Sequence, residues 1–125
     1  MRVMIVDDEP DMKYLFQQKF RKEIRAGQID LTFAFSGQSA LKNLVEKCEQ
    51  ISLVLSDINM PGMNGLELLQ KIKANFNTLP VWMLTAYNDQ DNYQQALKYG
   101  CSDYLTKPID FSQLKQKILS ISDTN

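Results

Sequence analysis

Two hydrophobic patterns alternate five times along the chain. A short run of consecutive apolar residues is followed each time by a longer stretch in which apolar residues return every three or four positions. The short runs suit strands covered on both faces and the longer period suits helices lying on them, so the pattern predicts an α/β domain built on a parallel sheet. The first strand is Arg2 to Val6. Pro10 then suits the first turn of a helix, where its missing N–H leaves no bond unmade. Met12, Leu15, Phe16, Phe20 and Ile24 form that helix's stripe, and Gly27 is placed to end it.

A second strand, Leu31 to Phe35, leads into a helix that Ser36 can cap, with Ala40, Leu41, Leu44, Val45 and Cys48 predicted to face inward. The third strand, Leu53-Val54-Leu55, ends at Ser56-Asp57. The loop Ile58 to Gly65 after it is rich in turn formers and precedes a helix carrying Leu66, Leu69 and Ile72. Val81 to Thr85 makes the fourth strand. The helix from about Gln90 to Tyr99 has only Tyr93, Ala96 and Leu97 for a stripe, which predicts the least firmly docked helix of the five. Gly100 closes it, Tyr104-Leu105-Thr106 make a fifth strand, and Asp110 with Gln113 has capping-box spacing for a last helix bearing Phe111, Leu114, Ile118 and Leu119. Residues 1–121 read as one domain and residues 122–125 as a polar tail or the start of a linker.

Composition narrows the chemistry. The apolar fraction of 44% and charged fraction of 23% are those of an ordinary soluble protein, without a long apolar run or a leader, so a cytoplasmic location and no membrane partner are expected. Fourteen basic and fifteen acidic residues leave a net charge of -1, and no Lys/Arg run offers the footprint of direct nucleic-acid binding. Cys48 and Cys101 lack metal-type spacing and read as reduced, mostly buried thiols. Histidine is absent, which removes His-based nucleophile pairs, His-ligated zinc and a self-supplied phosphohistidine. A metal would have to sit on oxygen ligands.

Open parallel sheets bind ligands beyond the carboxyl ends of their strands, and the polar residues fall there. Asp7, Asp8 and Glu9 follow strand one, Asp57 ends strand three, Thr85 ends strand four and Lys107 follows strand five. Clustered carboxylates call for a cation, and oxygen ligands suit Mg²⁺, which would also neutralise the oxygens of an incoming phosphoryl group. Lys107 and the Thr85 hydroxyl could pair with the same phosphate. Taken singly, each residue has a plainer role. Asp8 or Glu9 can favour a helix start, Asp57 can be a turn residue, Lys107 a surface ion pair and Thr85 a strand residue. The conjunction of four strand ends on one rim favours a site.

With those motifs the chain resembles the response-regulator receiver family over nearly its whole length. The carriers are Val6-Asp7-Asp8-Glu9, the run from Asp57 through Asn59, Pro61 and Gly62 to Gly65, Thr85-Ala86 and Lys107-Pro108. The resemblance implies a flavodoxin-like, doubly wound five-stranded sheet in the order 2-1-3-4-5 with five helices. It implies Asp57 as phosphoacceptor, Asp8 as direct Mg²⁺ ligand, Asp7 acting partly through water, and Asn59 supplying a backbone carbonyl. Thr85 and Lys107 become the switch hydroxyl and phosphate-pairing lysine, Tyr104 the aromatic switch, and Lys107-Pro108 a cis peptide. The donor would be a histidine kinase or a histidine phosphotransfer protein. A downstream protein or fused output domain would read the result, with a phosphorylation-dependent dimer as a further option and self-catalysed phosphoryl gain and loss slow. Inverting a 1:99 equilibrium takes about 5.5 kcal/mol, so several phosphate contacts would have to act together.

Trp82, Met83 and Cys101-Ser102 depart modestly from the family pattern, and Tyr87 stands in a variable place that either tunes phosphate lifetime or simply packs. Tyr99, Tyr104, Gln113 and Lys117 are candidates for a partner-facing surface. Two rival functions are a receiver-like interaction module that is never phosphorylated and a haloacid-dehalogenase-type phosphatase. The phosphatase would place its nucleophile after strand one, yet Asp7-Asp8-Glu9 lacks the aspartate pair one residue apart. No G-x-G-x-x-G or P-loop run supports a nucleotide fold of the Rossmann type.

Overall fold

Strands β1 (Arg2–Val6), β2 (Asp30–Ala34), β3 (Leu53–Asp57), β4 (Val81–Thr85) and β5 (Asp103–Thr106) form one sheet in the order β2-β1-β3-β4-β5. All four pairings are parallel. This computed structural model describes residues 1–86 and 89–123. Tyr87 and the tail residues Thr124 and Asn125 therefore lie outside the described residues. The connecting helices are α1 (Pro10–Lys19), α2 (Arg21–Arg25), α3 (Gly37–Lys47), α4 (Gly65–Asn75), α5 (Gln90–Lys98) and α6 (Phe111–Asp123), with a 3-10 turn at Cys48–Gln50. None is long and apolar enough to cross a membrane.

Alternate residues of the buried strands feed two cores, as a period of two requires. On one face Met4, Val6, Val54, Val81 and Met83 meet Ala40 and Leu44 of α3, Leu69 and Ile72 of α4, and Ala96 of α5. On the other, Val3, Ile5, Leu53, Leu55, Trp82 and Leu84 meet Phe16, Phe20, Leu114 and Ile118. Side-chain oxygens close three helix starts: Ser36 accepts from Ser39 N–H at 3.1 Å, Asn64 from Glu67 N–H at 2.9 Å, and Asp89 from Asn92 N–H at 3.2 Å. Asp110 accepts from Gln113 N–H at 3.1 Å ahead of α6.

Several expectations are corrected. The first helix is divided at Phe20, whose φ of -101° and ψ of 15° leave the helical range, although hydrogen bonds from Phe20 N–H to Phe16 O and from Ile24 N–H to Phe20 O carry the chain across the break. The Phe20 ring is completely buried there and stacks on Phe16, so side-chain packing overrides regular backbone at this point. Among the described residues six α-helical segments therefore stand where five were predicted. Ile24, Val45 and Leu97 were assigned to inner stripes and are instead exposed, at 36%, 75% and 48%. Each lies at the margin of its helix's apolar arc, where the sheet no longer covers it. Cys48 and Cys101 are free but only half-buried. Helix α6 takes in Ser122 and Asp123 of the supposed tail.

As predicted for α5, Ala96 is its only fully buried residue. Its start is held by a different contact, in which Tyr104 packs against Tyr93 with ring centroids 4.6 Å apart.

Candidate functional site

Register places the chemistry. Val6 pairs with Ser56, Asp57 with Leu84, and Thr85 with Thr106, so β1, β3, β4 and β5 end at nearly one level. The residues that follow must converge on the rim above them. Ladder-like bonds continue just past the strands: Asp7 N–H donates to Ala34 O at 3.1 Å, Ile58 N–H to Leu84 O at 3.0 Å and Lys107 N–H to Thr85 O at 2.8 Å. These fix the backbone under each side chain of interest.

Asp7 and Asp57 are nearly inaccessible, at 3% and 4% exposure. One oxygen of each is anchored locally. Asp7 Oδ1 accepts from Glu9 N–H at 2.9 Å, and Asp57 Oδ1 accepts from Asn59 N–H at 3.3 Å. Lys107 Nζ reaches back from beyond β5 to donate to Asp57 Oδ2 at 3.0 Å and lies 3.8 Å from Asp7 Oδ2. The Lys107-Pro108 peptide is cis.

Asp8 completes an acidic cluster, with one oxygen each from Asp7, Asp8 and Asp57 lying within 4.8 Å of one another. At such separations each carboxylate pair repels by roughly 3 kcal/mol at an effective dielectric of about 20, and one lysine cannot balance three carboxylates. Asp7 Oδ2 is buried and has no hydrogen-bond partner among the described residues. An oxygen-only donor set containing an unsatisfied buried carboxylate oxygen is compatible with Mg²⁺ and with phosphoryl chemistry on an aspartate.

The titration behaviour follows the same imbalance. Burial, with the Asp57 charge adding to it, pushes the Asp7 carboxyl above its ordinary pKa despite the Glu9 amide, which works the other way. Burial opposes the charge on Lys107, but the hydrogen bond and charge of Asp57 outweigh it and the ammonium pKa is raised. Asp7 thus holds its proton more tightly folded than unfolded. The unfolding free energy of the metal-free protein is therefore expected to fall as pH rises from the ordinary carboxylate range through the raised Asp7 value. Asp7→Asn should flatten that fall, and urea midpoints in chelator between about pH 4 and 7 check it.

Thr85 is fully buried, and its hydroxyl oxygen makes no hydrogen bond among the described residues. Tyr104, half-buried beside it, donates its phenol to Asp89 O at 3.2 Å. Burial raises the Tyr104 pKa, with the neighbouring Thr85 hydroxyl working against that rise. Thr85 and Tyr104 are thus close to each other, while Asp7, Asp8, Asn59, Asp57 and Lys107 form the rim. Among the residues suggested as a partner surface, Tyr104, Gln113 and Lys117 line one cavity of about 340 Å³, and Tyr99 is not part of its lining.

One residue was missed as part of the site. A Cβ on Gly65 would run into the Asp57 carbonyl oxygen and approach Ile58 Cα to 2.7 Å. Glycine there lets α4 start directly against the end of β3 at Asp57, and its N–H donates to Ile58 O at 2.8 Å. The loop's composition hinted at turns, but only the fold reveals that close approach.

A five-stranded parallel sheet with an acid cluster and a lysine on its carboxyl rim defines a flavodoxin-like module. This chain belongs to the response regulator receiver domain family, whose pattern matches residues 3–119. It is 31% identical over 121 residues to response regulator RppA of Synechocystis, covering 97% of this chain and 50% of that protein. It is 38% identical over 111 residues to the DNA-binding transcriptional regulator NtrC of Escherichia coli, covering 89% of this chain and 22% of that one. The chain thus spans half or less of these relatives. Among solved structures, the receiver domain of Francisella response regulator 1452 shares 29% identity at a TM-score of 0.83, covering 99% of this chain and 98% of that one. A CheY-like receiver domain protein from Methanospirillum hungatei shares 28% at 0.84, covering 98% and 94%. Receiver domains are signalling phosphoacceptors of two-component systems rather than classical enzymes.

Proposed function

We propose that Asp57 accepts a phosphoryl group from a phosphohistidine on a histidine kinase or histidine phosphotransfer protein, and that the new acyl phosphate changes the surface this chain offers to an output partner. The observation carrying this reading is the Lys107 ammonium 3.0 Å from Asp57 Oδ2 beside three mutually close carboxylates. In the transfer an Asp57 oxygen attacks phosphorus, the bond from phosphorus to the donor imidazole breaks, and the imidazole leaves. Mg²⁺, when bound, would offset charge on the transferring oxygens. Asp8 would hold it directly, Asp57 and the Asn59 carbonyl would contribute oxygens, and Asp7 would act through water. Lys107, already at Asp57, would turn to a phosphoryl oxygen.

The phosphate adds about -1.5 to -2 charges beside Thr85, whose hydroxyl is free of other bonds to the described residues and can donate to it. Drawing that hydroxyl toward the phosphate would open space beside Tyr104 into which its ring could turn, away from Tyr93 and Asp89 at the start of α5. A cytoplasmic setting, a domain spanning residues 1–121, and a protein or fused domain as the reader belong to the same reading. The test is intact-protein mass after incubation with Mg²⁺ and acetyl phosphate. One labile phosphoryl adduct is expected, dependent on Mg²⁺ and absent in Asp57→Asn. An adduct that persists in that variant, or none in the native chain, would overturn it.

A further inference from the structure

Folding brings Lys115 of the last helix to a cluster of cations near the end of the first. Lys19 at the end of α1, Arg21 and Lys22 at the start of α2, and Lys115 on α6 line, with Gln18, one cavity of about 410 Å³ that shares no residue with the rim around Asp57. Two of the four are steadied by aromatic rings: Lys19 Nζ lies 5.9 Å from the centre of the Phe111 ring and Lys115 Nζ 5.5 Å from that of Phe20. Lys115 also sits 3.2 Å from Glu23 Oε1. Glu23 is the only acid between Lys13 and Arg25, a stretch that holds five cations in a chain of net charge -1. One carboxylate cannot balance this face, and the rest of the chain is net negative.

We propose that this cavity binds a short phosphate chain. Its size falls at the small-ligand end of the range for binding pockets, about 300–1,000 Å³. Duplex nucleic acid or a bilayer would call for a broader array of cations than four around a single concavity. A di- or triphosphate packs several charges into a few ångströms. Arg21 supplies a fork for paired phosphate oxygens and the lysines supply point charges. Tyr14 adds a further element. It is 68% exposed and lies one turn before Gln18 on α1. Its ring stands outside the cavity lining but on the same helix as Gln18 and Lys19, where the base of a bound nucleotide could stack.

Calorimetric titration of the full chain tests this in low-salt buffer free of divalent ions, with inorganic triphosphate and, separately, a nucleoside triphosphate. One saturable site is expected, weakened about tenfold or more in Arg21→Gln/Lys22→Gln, with amide shifts centred on Gln18 to Lys22 and Lys115. Lys19→Gln serves as the second variant should the double one fail to fold. Tighter binding of the nucleotide that drops to the inorganic level in Tyr14→Ala assigns the phosphate chain to a nucleotide. Equal binding of both probes assigns it to a free oligophosphate. No saturable binding of either probe, binding untouched by these substitutions, or shifts centred on Asp57 and Lys107 would overturn the proposal.

Discussion

Gly65→Ala should slow phosphoryl uptake at Asp57 by between about tenfold and a hundredfold and cost about 3 kcal/mol of stability. Helix propensity alone points the other way, because alanine at a helical position normally stabilises by about 1 kcal/mol relative to glycine. The steric term decides. The atoms an added Cβ would meet are the Asp57 carbonyl oxygen and the Ile58 Cα, both backbone at the end of a central strand. Such atoms cannot swing aside as a side chain's end would, so either α4 or the Asp57 backbone must shift. A shift of the Asp57 backbone would disturb the 3.0 Å contact with Lys107. The rate of adduct formation and the urea midpoint are measured on the same variant, and one as stable and as fast as the native chain would show that the close approach is relaxed at no cost.

The second large effect lies on the opposite face of the sheet. Phe16→Ala is expected to destabilise by about 3–5 kcal/mol. The ring is completely buried, stacked on Phe20 at 5.8 Å and set edge-on to Phe111 at 5.2 Å, so truncation leaves a cavity between two helices and takes away the partner of two other rings. Val45→Ala is the matching control, since Val45 is 75% exposed and should change stability by no more than about 0.5 kcal/mol. Trp82, buried in the same core as Phe16 and the only tryptophan, provides the fluorescence for both unfolding curves.

Much of this architecture is legible in the sequence because strands buried on both faces leave apolar runs that few other structures produce. Arg2–Val6 and Val81–Thr85 are placed to the residue, and the other three strands to within a residue or two at either end. The rim was legible for a related reason: parallel strands of similar length end at one level, so polar residues just past each strand have to meet. What stayed hidden depends on neighbours. Periodicity marks the centre of a helix's apolar arc but not its edges, which is why Leu44 is buried and Val45 is not. The break at Phe20 answers to Phe16 and Phe111, the latter on a helix ninety residues further along. Gly65 answers to a carbonyl eight residues upstream, and no local signal separates it from an ordinary turn glycine.

The two cores also differ in how they resist deformation. The layer beneath α1 and α6 is filled with flat rings, Phe16, Phe20, Phe111 and Trp82, whose shapes leave few alternative packings. The layer beneath α3, α4 and α5 holds Met4, Met60 and Met83, with Met63 packed against it, unbranched side chains that can refill a changed space at little cost. The sheet thus separates a stiff laminate from a compliant one. A disturbance at Asp57 should be absorbed on the methionine side, leaving the cation-lined cavity on the aromatic side mechanically insulated from it.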